Sequence, residues 1–144
     1  MLLDATRTER VIGLAITVHR HLGPGLLESV YEEALCFELA ATAIPFARQV
    51  PVPVIYRGQQ IAAGFRADLI VDDALLVEIK SVASLAPLHD AQTLTYLRMS
   101  GLAVGLLLNF NVPRLKDGLR RFVLSANLRS ADLATATRAA AAGG

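Results

Sequence analysis

Apolar residues recur along the chain with different periods, and each period predicts an element. From Thr6 to His21 they fall at Val11, Leu14, Ala15 and Val18, a helical spacing, and Gly23-Pro24-Gly25 ends the run. A second helix is predicted from about Leu26 to Thr42, burying Leu27, Val30, Ala34 and Phe37. Gln49 to Tyr56 is β-rich, and Pro51 and Pro53 suit an edge strand because proline cannot donate to a ladder. Arg57-Gly58-Gln59 turns the chain into two further strands, within Gly64 to Lys80, around an acidic turn. Ser84 is a candidate cap for a third helix with Leu88, Ala91, Leu94 and Leu97 on or near its buried side. Pro87 fits only the first turn of that helix, and Gly101 ends it. Ala103 to Phe110 is apolar without alternation, as in a strand covered on both faces, and Leu119 to Leu124 reads as a last short strand.

The acidic hairpin sorts its polar residues to one face. Side chains alternate across a strand, so Phe65, Ala67, Leu69 and Val71 share one side while Arg66, Asp68 and Ile70 take the other. On the second strand Leu75, Val77 and Ile79 are set against Leu76, Glu78 and Lys80. A turn over Asp72 to Ala74 pairs Val71 with Leu75 and puts Asp68 across from Glu78; a two-residue turn would pair Asp68 with Val77 instead. An odd-length loop is therefore predicted. Facing carboxylates repel, so in a dry cleft one of them takes up a proton unless a cation intervenes. Lys80 supplies part of that charge as an ion pair with Asp68 or Glu78, but oxygen ligands converging from two strands also suit Mg²⁺.

Other polar residues carry weaker signals. Glu28 and Tyr31 project from the same side of the second helix, where Tyr31 could orient a carboxylate and Glu28 could simply offset the helix dipole. His89, Gln92 and Tyr96 form one stripe on the third helix, equally a solvated face. His19 and His21 point to different sides and make a poor metal pair. Arg114, Lys116, Arg120 and Arg121 form the best basic patch for phosphate contact.

Composition narrows the class. At 144 residues the chain is expected to be one domain. It is 53% hydrophobic, yet charges interrupt every apolar segment well short of the roughly 20 residues a membrane span needs. The N-terminus lacks the plan of a signal peptide, which makes a cytoplasmic protein the expectation. Cys36 is the only cysteine, excluding an intrachain disulfide, and its place in an apolar helix suits buried filler. A net charge of +1 does not advertise a polyanion-binding surface. From Ser125 an alanine-rich tail begins, helical through Arg138 at most and frayed at its end.

In order along the chain stand Gly25-x-x-Glu28-x-x-Tyr31, Asp68, Glu78-Ile79-Lys80 and Gln92-x-x-x-Tyr96. On these residues the chain resembles the GxxExxY family, which is assigned to the PD-(D/E)xK nuclease superfamily. The match covers roughly Arg10 to Leu124, including the stretches His19 to Gly25 and Asn109 to Gly118, so the domain is placed at residues 1–124 and the tail at 125–144. The resemblance implies an α/β fold with a restriction-endonuclease-like core, a central mixed β-sheet flanked by helices. It also implies that an acidic residue of the first core helix, Glu28 here, approaches the hairpin carboxylates. Gln92 and Tyr96 resemble the Gln-x-x-x-Tyr motif of the exonuclease-type branch, where this helix supports the metal site and the strand being cut.

The activity so implied is metal-dependent hydrolysis of phosphodiester bonds in DNA or RNA. Mg²⁺, or Mn²⁺ in its place, would be held by Asp68, Glu78, the Ile79 carbonyl and Glu28, directly or through water. Lys80 would position the attacking water and help deprotonate it. Two rival readings are a non-catalytic nucleic-acid-binding module using the Arg114 to Arg121 region, and a partner-binding domain whose polar face is an ion-pair network. Whether the chain forms a homo-oligomer is open.

Overall fold

The computed structural model describes residues 5–128. The tail expected to be helical through Arg138 and frayed at its end lies outside the described residues, apart from a short turn at Ser125–Asn127. The helices are α1 (Ala5–Leu22), α2 (Glu28–Ala41) and α3 (Pro87–Ser100), and the strands are β1 (Phe46–Tyr56), β2 (Gln59–Val71), β3 (Leu75–Lys80), β4 (Val104–Asn109) and β5 (Leu119–Val123). The five strands form one sheet in sequence order, with β1 and its prolines at an edge. Only β3 and β4 are parallel, joined by the crossover through α3 that such a pair requires. The fold is therefore a mixed sheet flanked by helices, an α/β core of restriction-endonuclease type. No helix among the described residues is long and apolar enough to cross a membrane.

Two apolar layers sandwich the sheet. Val11, Ala15 and Val18 of α1 and Tyr31, Leu35 and Leu39 of α2 pack with Leu69, Val71, Leu75, Val77, Ile79, Leu106 and Leu108. On the α3 side Leu97 packs with Leu76, Val52 and Ala67, and Phe65, Ile70 and Tyr96 join them. β4 is buried along its whole length, as its unbroken apolar run predicts. Cys36 is buried, and that burial pushes its thiol pKa up, so it packs as filler.

The hairpin register is the expected one, with Val71 opposite Leu75, Ile70 opposite Leu76 and Leu69 opposite Val77. The odd-length turn is present at Asp72, Asp73 and Ala74, with Asp72 and Asp73 at positive φ. One part of the expected alternation fails. Phe65 and Ala67 do not share the core of Leu69 and Val71 but pack with the α3 cluster, so the outer half of β2 changes sides near Asp68. The β1–β2 pairing also shifts register between Val52 and Val54. Near that shift a Cβ on Gly64 would sit 2.6 Å from the Val52 carbonyl oxygen, which only glycine avoids.

Both later helices are rotated from the expected orientation. In α2 most of the predicted buried stripe faces out, with Leu27 74% and Phe37 71% exposed and Val30 also exposed, while Ala34 is half-buried against the core. Tyr31, Glu32, Leu35, Cys36 and Leu39 are buried instead. Apolar residues lie on both sides of this helix, and the stack of Tyr31 on Phe110, at 4.5 Å between ring centroids, settles which side turns inward. In α3, Leu97 is buried as expected, but Leu88, Ala91 and Leu94 are exposed, and Thr93 is the other buried residue. The N-cap is Ala86, not Ser84, and the His89 ring Nδ1 accepts the Ala86 N–H at 2.8 Å in place of a capping hydroxyl. Leu35→Ala is accordingly expected to cost about 2–5 kcal/mol, while Phe37→Ala should stay within about 0.5 kcal/mol. Urea unfolding of the two variants checks the assigned face.

Candidate active site

The β2–β3 ladder ends at Leu69 opposite Val77, one rung short of Asp68 and Glu78. From there side chains replace the missing backbone acceptors. The Asp68 N–H donates to Glu78 Oε1 at 3.1 Å, and the Ile79 N–H donates to Asp68 Oδ2 at 2.8 Å. Each strand thus holds the other's carboxylate, and the two acids converge where the sheet opens.

Glu78 is only 5% exposed. Burial, with the neighbouring Asp68 charge, pushes its pKa up to about 8; the bond from the Asp68 N–H and the Lys80 charge oppose that rise only in part. Burial leads, and the repulsion expected of facing carboxylates adds to it. Lys80 is half-buried, two residues along on the face of Glu78, yet it makes no ion pair within 4.0 Å among the described residues. The simple reading of a lysine bonded to its acid is therefore not what the fold builds.

α3 turns Tyr96 towards this opening. Tyr96 stacks on Phe65 at 3.7 Å between centroids. Its burial and the nearby Glu78 and Asp68 charges raise the phenol pKa. Gln92, one turn earlier, is half-buried on the same helix. Gln92 and Tyr96 are partly screened from solvent, whereas His89 is turned back to the Ala86 N–H.

Glu28 is placed differently from the hairpin acids. Its Oε2 accepts the Ser81 N–H at 3.2 Å, just beyond Lys80, while the Ser81 hydroxyl donates to the Leu26 carbonyl at 2.6 Å. Tyr31 orients no carboxylate; its hydroxyl donates to the Gly23 carbonyl at 2.6 Å and accepts the Leu26 N–H at 3.1 Å. Gly25 has φ +100°, open to glycine alone at little cost. The motif Gly25-x-x-Glu28-x-x-Tyr31 thus pins the start of α2 to the end of β3. Among the described residues no three or more His, Cys, Asp or Glu side chains gather to hold a metal ion, so Glu28 is not brought to the Asp68–Glu78 pair as a third ligand.

The basic patch is dispersed. Arg120 bonds Asp90 of α3 at 2.7 Å, Arg121 reaches Glu9 of α1 at 3.5 Å, and Arg114 lies 3.9 Å from Asp117. Neighbouring positions on β5 face opposite sides, so these residues do not form one basic face. Lys116 is exposed nearby.

Several residues the sequence did not mark out shape the site. Gln49, opposite Asp68 by the register on either side of it, donates its amide to Asp68 Oδ1 at 3.3 Å and to Glu32 Oε1 at 2.8 Å. Asn109, buried, accepts the Val82 N–H and donates to the Val82 carbonyl, both at 3.0 Å, which braces the backbone after Lys80. The asparagine flanking an apolar strand was visible in sequence, but nothing there showed its partner.

A family model described as the PD-(D/E)XK nuclease superfamily matches residues 5–122. The chain belongs to that superfamily. No curated protein and no solved structure matches it. Superfamily members generally use divalent metal ions. The donor set here fits such an ion: two convergent carboxyl groups, one so deeply buried that it resists ionising without a cation beside it, and among the described residues no ion-paired cation between them.

Proposed function

We propose that the chain is a GxxExxY-type nuclease that hydrolyses phosphodiester bonds in DNA or RNA with a divalent cation, Mg²⁺ or Mn²⁺. The supporting observation is the Asp68–Glu78 pair at the end of the β2–β3 ladder, two convergent carboxyl groups, one of them buried, beside a Lys80 that makes no ion pair among the described residues. Asp68, Glu78 and the Ile79 carbonyl would hold the ion, with Glu28 acting through water, because its carboxylate is committed to the Ser81 N–H. When bound, the cation lowers the pKa of water and neutralises charge developing on the phosphate.

The protein's own groups account for the rest. Lys80 presents an ammonium to the attacking water or to a phosphate oxygen. Tyr96, with its pKa raised, remains a neutral hydroxyl donor facing the same opening, and its stack on Phe65 fixes its position. Gln92 offers an amide from the same helix face to the strand being cut. Arg120, tied to α3 through Asp90, is the basic residue assigned to flanking phosphates, ahead of Arg114, Lys116 and Arg121.

The test is titration of Mg²⁺ or Mn²⁺ into the wild type and Glu78→Ala, following melting temperature and cleavage of single- and double-stranded DNA and RNA. Metal is expected to raise the melting temperature of the wild type alone, with cutting confined to it. Equal stabilisation of both proteins, or cleavage by the variant at the wild-type rate, overturns the assignment.

A further inference from the structure

We infer that Gln49 is a positioning residue for the site, holding the Asp68 carboxylate from β1 while Glu32 of α2 holds Gln49. The inference uses the proposed nuclease reading only for its metal readout.

Gln49 sits in an extended strand at φ +49°, a left-handed conformation that side chains other than glycine and asparagine seldom adopt. Such strain persists where surrounding contacts over-determine it, and it clusters at functional sites. The contacts here are specific. One amide nitrogen donates to carboxylates from two different elements, Glu32 Oε1 at 2.8 Å and Asp68 Oδ1 at 3.3 Å. Glu32, 7% exposed, is itself fixed by Arg48, whose Nη2 and Nε donate to its Oε2 at 2.9 and 3.2 Å. The Gln49 carbonyl accepts from Arg66 at 3.2 Å, so the backbone is held as well.

Asp68 is therefore gripped at both oxygens, by Gln49 on Oδ1 and by the Ile79 N–H on Oδ2. A carboxylate with both oxygens fixed has one orientation left, which a metal ligand requires before the ion arrives. A glutamine at this φ serving packing alone would bring no such bonds, and an ordinary residue here would relax the strand.

The distinguishing variant is Gln49→Gly, which removes the strain and the amide together. Glu32 keeps its Arg48 partner in it, so no buried charge is stranded. If Gln49 positions Asp68, stability and site order move in opposite directions. The urea midpoint should hold or rise. The Ile79 amide, whose acceptor is Asp68, should exchange with solvent about tenfold faster in the metal-free protein, the loss expected for one hydrogen bond's anchoring. Mn²⁺ affinity by calorimetry should fall about 10–100-fold, as when a supporting contact to a metal ligand is lost. Gln49→Asn, which tolerates the φ but is one methylene too short to span both acids, should behave like the glycine variant.

Unchanged or slower exchange at Ile79 in both variants overturns the inference. Should the wild type neither bind Mn²⁺ nor cleave, the nuclease reading fails, while exchange at Ile79 still decides the role of Gln49.

Discussion

Lys80→Ala should keep the wild-type thermal response to Mn²⁺ and lose cleavage by about 10²–10³-fold, the effect of deleting one preorganised charged group at a reacting phosphate. The separation follows from where the lysine stands. It is half-buried on the face of Glu78, and it is tied to neither acid by an ion pair. Removing it therefore leaves the oxygens that would bind a cation in place while deleting the ammonium proposed to meet the attacking water or the phosphate. Single-turnover cleavage beside a Mn²⁺ thermal titration measures both halves. A wild-type rate in the purified variant ends the catalytic role of Lys80, and a lost Mn²⁺ response makes it part of the ion site.

Glu78→Gln should remove the loss of stability that Glu78 imposes as pH rises. The folded pKa, about 8, stands above the ordinary 4.5, so the folded state keeps a proton that the unfolded chain releases. The contribution to stability is fully present below about 4.5 and is lost as pH rises through about 8. One pKa unit corresponds to 1.36 kcal/mol, so the loss is on the order of a few kcal/mol. Glutamine cannot ionise; in EDTA the variant should match the wild type near pH 5 and exceed it near pH 9. With a divalent ion the order reverses at high pH, because only the wild type has the full carboxylate pair. Urea unfolding across this range, with and without Mn²⁺, reads both effects. Parallel pH profiles for the two proteins would show that the proton held by the folded state is not on Glu78.

The central hairpin was legible as far as strand alternation and the length of one turn bring Asp68 and Glu78 together, with Lys80 two residues along. Apolar residues at Leu69, Val71, Leu75, Val77 and Ile79 rule out a one-residue slip, which would turn one strand's apolar side out of the core. Helix orientation was not legible to the same degree. α2 offers Leu27, Val30 and Phe37 on one side and Leu35, Cys36 and Leu39 on the other, and the choice is made by Tyr31 against Phe110, a contact far apart in sequence. In α3 the apolar residues are spread around the axis, so the stack of Tyr96 on Phe65 decides what faces in.

Gln49 was hidden for a different reason. From the tight turn at Arg57-Gly58, unshifted pairing would set Gln49 against Arg66. The irregularity between Val52 and Val54 places two more residues on β2 than on β1, and that slip carries Gln49 to Asp68. Nothing in the local sequence announces its size. The basic residues near the end of the chain show the converse limit, since clustering in sequence dispersed to opposite sides of β5 once each arginine found an acid.

The reciprocal clasp between β2 and β3 has a consequence for biogenesis. Because the Asp68 N–H grips Glu78 and the Ile79 N–H grips Asp68, neither acid is aimed until both strands are zipped together. A nascent or half-unfolded chain consequently lacks the aimed acid pair, so on the nuclease reading proposed above no cutting centre exists before β2 and β3 have met.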